Sequence, residues 1–177
     1  MANLHEIIQW CDQTLKAAEF KDYAPNGLQI EGSTEVNRIV CAVTASEDAI
    51  DAAIAQNADL LLVHHGYFWK GEPYPITGMR GNRIKKLIQN NISLVAYHLP
   101  LDAHPTLGNN VAIAEKLNLQ NLEPLDLTEK HPIGNIGYLE QALSVEEFKT
   151  KLQNSFDFKV IHLPAEKQTI QKIGFCT

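Results

Sequence analysis

The sequence lacks several features that would place its 177 residues in a special class of protein. It has no apolar run of about 18 residues, the length a transmembrane helix needs, so no membrane association is predicted. Its 3 cysteines are an odd number without a C-x-x-C pair, which favours buried free thiols in a reducing compartment, and hence the cytoplasm. Positive charge is scarce as well. Only 15 Lys and Arg accompany 21 Asp and Glu, so the basic excess of a dedicated nucleic-acid-binding protein is missing.

The sequence also lacks the common loops that bind cofactors or carry nucleophiles. Neither G-x-G-x-x-G nor a P-loop occurs, which argues against a dinucleotide site and a Walker-type site. The absence of G-x-S-x-G argues against the serine elbow of an α/β-hydrolase. The composition itself is ordinary, with 45% hydrophobic and 20% charged residues, so we expect a folded globular protein rather than a disordered chain.

Short apolar runs alternate with helical patterns along the first two thirds of the chain. Runs of strand length occur at residues 38–44, 59–63 and 92–97, and amphipathic helical patterns lie between them. This alternation is typical of an α/β fold, in which a mainly parallel sheet is flanked by helices. A wholly apolar run also suits a strand that is buried on both faces of such a sheet.

A change in composition divides the sequence. Pro124, Pro132 and the polar residues near them interrupt the alternation, which is typical of a boundary between units. We therefore predict a first α/β unit over residues 1–125, which holds the histidine and aspartate motifs described next. Residues 126–177 are predicted to begin a second α/β unit.

Imidazole side chains follow two of the predicted strands directly. His64 and His65 come after the second strand, and His98 comes after the third, with Asp102 four residues further on. Because ligands of open parallel sheets bind beyond the carboxyl ends of the strands, we expect these side chains to form a site. Histidine and carboxylate are ligands for zinc, iron, manganese, cobalt or nickel. Adjacent histidines on a regular strand point to opposite faces, but Gly66 can relax the backbone so that both turn toward one ion or two neighbouring ions.

Each of these residues also has a structural interpretation. Histidines beside strands often pack or cap a turn, and Asp102 can be a turn residue. Two such clusters at equivalent strand ends favour the ligand interpretation. The aromatic residues 67–69 can wall a pocket and stack on a planar substrate, or they can anchor a loop on the core. The basic residues between positions 70 and 86 can attract an anion or form a solvated helix face.

Four motifs in a fixed order identify a family. They are residues 23–32 (YAPNGLQIEG), 43–46 (VTAS), 63–71 (VHHGYFWKG) and 97–105 (YHLPLDAHP), the last followed by GNN at 108–110. In this combination the sequence resembles the Ngg-interacting factor 3-like family, whose members are commonly labelled GTP cyclohydrolase 1 type 2 homologues. It is similar to the short bacterial members over essentially its whole length.

The resemblance implies two similar, interlocked α/β units around a site for two divalent metal ions, assembled as a toroidal homohexamer. His64, His65 and Asp102 match metal ligands of the family. His98 matches a nearby imidazole in the same cavity, which either binds the metal directly or contacts a ligand of it. Its expected role is catalytic, to orient a ligand or to move a proton. Family members continue past the strand that ends here at Thr177, and a later His and Glu complete their metal site. The resemblance therefore implies that the second unit is incomplete in this chain.

The leading hypothesis is a metal-dependent hydrolase that acts on a nucleotide or a related small molecule. A two-metal site activates water, which suits opening of a purine imidazole ring or hydrolysis of a phosphoester. An alternative is a non-catalytic metal-binding protein with a regulatory or interaction role on the same scaffold. A further alternative is an α/β domain whose histidines are structural.

Overall fold

In a computed structural model of the chain, residues 1–166 and 168–177 are described, and they form two compact units, Met1–Leu101 and Asp102–Thr177. The helices of the first unit are α1 (Leu4–Leu15), α2 (Glu47–Ala55) and α3 (Gly78–Gln89), with a 3₁₀ turn at Ala17–Glu19. Its strands are β1 (Ala2–Asn3), β2 (Gly27–Ile30), β3 (Glu35–Val36), β4 (Ile39–Thr44), β5 (Leu60–His65) and β6 (Ser93–Ala96).

The main sheet of the first unit has four strands in the order β2-β6-β5-β4. The β4–β5 and β5–β6 pairs are parallel, and β2 pairs with β6 in the antiparallel direction. Helix α2 connects β4 to β5, and α3 connects β5 to β6, so the alternation in the sequence corresponds to two β-α-β crossovers. The predicted α/β fold class is confirmed. Strands β1 and β3 form a separate antiparallel pair.

The main sheet is covered on both faces. Successive side chains of a strand alternate between faces, so Leu60 and Leu61 of β5 belong to different apolar clusters. Leu60 packs in the cluster that contains Leu4 of α1. Leu61 packs in the cluster that contains Ile50 of α2 and Leu87 of α3. The unit therefore has a helix, sheet, helix arrangement, with β5 and β6 between two apolar layers.

One strand of this sheet is less covered than its sequence predicts. Strand β4 lies at the end of the strand order, and Ile39, Cys41 and Val43 are exposed along one of its faces. Cys11 is buried, whereas Cys176 is exposed. The expectation that all three thiols are buried is therefore wrong. An apolar run alone does not distinguish a central strand from an edge strand, whose outer residues lack neighbours.

The second unit contains α5 (Asn109–Lys116), α6 (Val145–Phe156) and the strands β7 (Gln120–Pro124), β8 (Asn135–Ser144) and β9 (Thr169–Phe175). The division of the chain between Leu101 and Asp102 falls within a short helix, α4 (Leu99–Ala103). The strands pair in the order β7-β8-β9, and both pairs are antiparallel. The assignment of residues 1–125 and 126–177 as folding units stays a prediction.

Helix starts follow local sequence rules in both units. The Ser144 hydroxyl accepts a hydrogen bond from the Glu147 N–H, and the Glu147 carboxylate accepts one from the Ser144 N–H, which completes a capping box for α6. The Asn3 side chain accepts from the N–H groups of His5 and Glu6 at the start of α1. Within the described residues, no helix has the length and apolar character required to cross a bilayer.

Candidate metal centre

Three imidazole side chains meet at one edge of the main sheet. His64 and His65 are the last two residues of β5, and His98 follows the end of β6. Because β5 and β6 are parallel neighbours, their carboxyl ends lie side by side. One ring nitrogen from each of the three histidines lies within 4.8 Å of the other two. The fold thus brings together residues that are up to 34 positions apart in the sequence.

The three rings form a compact group. The ring centroids are 4.3 Å apart for His64 and His65, 5.1 Å for His64 and His98, and 5.6 Å for His65 and His98. All three side chains are partly buried. Adjacent residues of a flat strand point to opposite faces, yet the rings of His64 and His65 converge although both residues belong to β5. Both rings consequently reach the same space.

Hydrogen bonds define which ring nitrogen of His64 carries the proton. Its Nδ1 lies 2.9 Å from the backbone carbonyl oxygen of Tyr97. A carbonyl oxygen only accepts hydrogen bonds, so Nδ1 donates, and in the neutral form of the ring the lone pair is then on Nε2. His65 Nδ1 lies 3.2 Å from the hydroxyl of Thr44, which can donate or accept and therefore permits either tautomer.

His98 is held by a loop that the sequence analysis did not connect with the site. Its Nδ1 lies 2.7 Å from Oδ1 of Asp22, whose side chain is only 3% exposed. Its backbone N–H donates to Oδ1 of Asn26 at 2.8 Å. Asp22 and His98 are 76 positions apart, so no local pattern indicates this pair. The only signal is that Asp22 directly precedes the motif at residues 23–32.

Asp22 is an ionised hydrogen-bond acceptor. Burial alone would raise the pKa of its carboxyl, but hydrogen bonds from His98, Asn26, Leu99 and Tyr23 outweigh burial and lower the pKa below its usual value. An ionised carboxylate accepts and does not donate, so the shared proton resides on Nδ1 of His98. In the neutral form of the ring, a proton on Nδ1 leaves the lone pair on Nε2, as it does in His64.

The three aromatic residues after the histidine pair have different roles. Trp69 packs edge-on against His98, with ring centroids 4.9 Å apart, and its indole N–H donates to the Gly66 carbonyl. Tyr67 is buried, and its hydroxyl donates to the Ala45 carbonyl at 2.7 Å. Burial raises the pKa of Tyr67 to about 12. Tyr67 therefore anchors the loop on the core, while Trp69 walls the imidazole group.

Two of the basic residues near this loop, Arg80 and Lys86, are paired with acidic residues or carbonyl groups. Arg80 donates to the Glu72 carboxylate at 2.7 Å and to two carbonyl groups of the loop between Trp69 and α3. Lys86 forms ion pairs with Glu47 and Asp51. These contacts favour a structural role for both residues over attraction of an anionic ligand.

Asp102 lies in the second compact unit. It is 2% exposed, and its Oδ1 accepts hydrogen bonds from Nδ2 of Asn109 and from the hydroxyl of Thr177, both at 2.8 Å. The side chain of Asn110 donates to the Asp102 carbonyl. A buried carboxylate with defined donors is consistent with an oriented ligand as well as with a structural turn. Its assignment as a metal ligand stays a prediction.

The donor set of the imidazole group suits a divalent transition metal. Three neutral imidazoles are ligands that zinc, iron, cobalt, nickel and manganese all accept. Two of the rings have their Nδ1 atom bonded to an acceptor, which is the arrangement that leaves Nε2 for a metal ion. All three histidines therefore fit a metal ion by proximity, and the Nδ1 contacts of His64 and His98 also favour the suitable tautomer.

Glycine is required at position 66 because other atoms occupy the space around it. A Cβ added there would lie 2.7 Å from Cδ of Gln29 and 2.9 Å from Cβ of Ala96, closer than real Cβ atoms approach. The Gln29 carboxamide cannot move freely, since its Oε1 accepts the Tyr67 N–H at 2.7 Å. We expect Gly66→Ala to lower the free energy of unfolding by about 1–3 kcal/mol, measured by urea denaturation.

The control for this substitution is Gly174→Ala in β9. There the nearest atom to an added Cβ is the end of the Leu125 side chain at 3.2 Å, which can shift. The same chemical change should then alter the free energy of unfolding by less than about 1 kcal/mol. Equal stability of Gly66→Ala and the unmodified chain would contradict the close packing described at the end of β5.

The whole chain is similar to a group of known proteins. A family model described as Duf34/NIF3 (NGG1p interacting factor 3) matches residues 2–177. A curated relative from Haemophilus influenzae, named GTP cyclohydrolase 1 type 2 homolog, is 46% identical over 179 residues, which covers 100% of this chain and 70% of the relative. A relative of the same name from Allochromatium vinosum is 41% identical over 177 residues and is covered to 69%.

Solved structures have the same fold. A protein named ybgI, of unknown function, has a TM-score of 0.91 and 38% identity, with 99% of this chain and 69% of that chain covered. TTHA1606 from Thermus thermophilus has a TM-score of 0.86 and 30% identity, with 99% and 70% covered. This chain thus corresponds to 69–70% of the length of these relatives.

Proposed function

This chain belongs to the Duf34/NIF3 family, and from that premise we propose that it is a divalent-metal-binding hydrolase of a nucleotide or a related small molecule. The observation that carries the proposal is the group of three imidazoles whose ligand atoms lie within 4.8 Å of one another. The name of the curated relatives, GTP cyclohydrolase 1 type 2 homolog, supports a guanine nucleotide as the first substrate to test.

His64 and His65 are proposed as metal ligands, together with Asp102. His98 is proposed as the third imidazole of the centre, because its ring nitrogen lies among the ligand atoms. Its role in the sequence-based hypothesis, orienting a ligand or moving a proton, becomes direct metal binding in this proposal. Two ions per site and a homohexameric ring follow from the family resemblance, whereas a cytoplasmic location follows from the cysteine content. All three belong to the same proposal.

The chemistry of such a site divides between the ion and the protein. A bound divalent ion supplies Lewis acidity, which makes water acidic enough to react near neutral pH. The Nδ1 contacts of His64 and His98 favour the tautomer with the lone pair on Nε2, so the neutral rings can bind an ion without a change of tautomer. Trp69 covers one side of His98 and excludes solvent there.

A turnover experiment tests the proposal. The purified chain is stripped with a chelator, reloaded separately with manganese, zinc, iron, cobalt or nickel, and assayed with GTP and with p-nitrophenyl phosphate. We expect at least one metal to raise turnover about tenfold or more over the stripped protein. Stoichiometric metal binding without turnover of either substrate would overturn the hydrolase assignment in favour of a regulatory metal-binding protein. A chain that binds no metal would favour structural histidines.

A further inference from the structure

We propose that residues 22–29 form a positioning segment for the metal centre, in which Asp22 presents the unprotonated Nε2 of His98 to the ion. The inference rests on the proposed function, since it concerns the same centre. It gives a role to the first part of the motif at residues 23–32 and to Asp22, which precedes it. Asp22 is a positioning residue because it acts through His98.

The surroundings of Asp22 require a carboxylate. Its Oδ1 accepts hydrogen bonds from Nδ1 of His98 at 2.7 Å and from the N–H of Tyr23 at 2.6 Å. Its Oδ2 accepts from Nδ2 of Asn26 and from the N–H of Leu99, both at 2.9 Å. All four partners donate, so an amide at this position would bring its own N–H₂ group against donors. Both terminal atoms of the side chain at position 22 therefore have to accept hydrogen bonds, as the two oxygens of a carboxylate do.

The same segment also fixes the backbone around His98. The N–H of His98 donates to Asn26 at 2.8 Å, and the N–H of Leu99 donates to Asp22. Asn26 in turn donates to Asp22, so the two side chains of the segment support each other. The imidazole of His98 is thus held at its ring and at its main chain, which leaves little freedom for Nε2 to turn away.

The positioning segment holds the loop of the other two histidines as well. Oε1 of Gln29 accepts from the Tyr67 N–H at 2.7 Å, and Nε2 of Gln29 donates to the Pro25 carbonyl at 2.8 Å. The carbonyl of Tyr23 accepts from the N–H of Lys70 at 2.6 Å. One segment therefore contacts the chain after β5 and the chain after β6. Those are the two places from which the imidazoles project.

The tautomer of His98 is the first test, and it needs neither a metal nor a variant at Asp22. Long-range proton–nitrogen NMR spectra of the metal-free chain, recorded where imidazoles are neutral, report which nitrogen is protonated. Comparison with His98→Ala identifies the signals of His98. We expect a proton on Nδ1 and none on Nε2. A proton on Nε2 instead would overturn the proposal, whatever the chain does with metals.

The second test compares two isosteric substitutions of carboxylates that face histidines. Asp22→Asn removes the buried carboxylate at His98, and Glu31→Gln removes a carboxylate 3.4 Å from His5, where both side chains are more than half exposed. Cobalt(II) affinity is measured from its visible absorption. We expect Asp22→Asn to weaken binding by about 10–100-fold, the usual effect of losing a partner of a metal-binding histidine, and Glu31→Gln to have no effect.

A double-mutant cycle separates positioning from general structural damage. In a His98→Ala background, Asp22→Asn should weaken cobalt binding by less than about twofold further, because its effect passes through His98. The inference would be overturned if Asp22→Asn lowered the cobalt affinity equally in the unmodified and the His98→Ala chains. It would also be overturned if Asp22→Asn alone left cobalt binding unchanged. Failure of the unmodified chain to bind cobalt would instead refute the proposed function, and the tautomer measurement would still decide the role of Asp22.

Discussion

Replacing His64 and His65 together with alanine is expected to weaken binding of zinc and cobalt by more than about 100-fold. Loss of a residue that merely supports a ligand costs about 10–100-fold in affinity, so loss of two ligands must exceed that range. The rings of these residues are 4.3 Å apart and both contribute a nitrogen to the imidazole group. Isothermal titration of the chelator-stripped chain, together with elemental analysis after dialysis, measures the effect.

The matched control is a pair of exposed histidines that are not members of the imidazole group. His5 and His162 are exposed, so replacing both with alanine removes two imidazoles without touching the site. The control should bind metal as the unmodified chain does. Equal affinities for the two double variants would show that binding occurs at surface histidines, and the metal centre would be wrong. Circular dichroism checks that both variants keep the fold.

The second large effect is expected from truncation of Leu94 in the core. Leu94 is fully buried on β6, the strand between β2 and β5, and belongs to the apolar cluster with Ile50 of α2 and Leu87 of α3. Leu94→Ala should lower the free energy of unfolding by about 2–5 kcal/mol, since it loses apolar burial and leaves a cavity between sheet and helices. Urea denaturation followed by circular dichroism measures the change.

The control for Leu94→Ala removes the same atoms from an exposed leucine. Leu127 is 85% exposed, so Leu127→Ala should change the free energy of unfolding by less than about 0.5 kcal/mol. The melting temperature of Leu94→Ala should fall by about 2–4 °C for each kcal/mol lost. If both variants unfold at the same urea concentration as the unmodified chain, Leu94 is not part of a closely packed core.

Local patterns were sufficient for the elements of the first unit. The apolar runs at residues 38–44, 59–63 and 92–97 correspond to β4, β5 and β6, whose bounds are Ile39–Thr44, Leu60–His65 and Ser93–Ala96. The runs of β5 and β6 could be predicted because a strand that is buried on both faces must be apolar at successive positions. The exposure of Cys41 could not be predicted from the sequence, because an edge strand has the same local pattern as a central strand.

The candidate site was predictable only in part. The strand-end positions of His64, His65 and His98 follow from strand prediction and from the parallel arrangement of β5 and β6. The convergence of two adjacent imidazoles, whose ring centroids are 4.3 Å apart, cannot be predicted from strand periodicity, which places neighbouring side chains on opposite faces. The carboxylate of Asp22 reaches His98 only because the loop before β2 passes beside the end of β6.

The amino-acid sequence alone determined the α/β class and the ligand type, because hydrophobic periodicity and side-chain chemistry are properties of single segments. It also determined the family, through motifs that stand in a fixed order. The tertiary structure decided which ring nitrogens meet, which of them keep a lone pair, and which loop holds them. Those features arise from hydrogen bonds between segments far apart in the chain, and such bonds exist only after the backbone has folded.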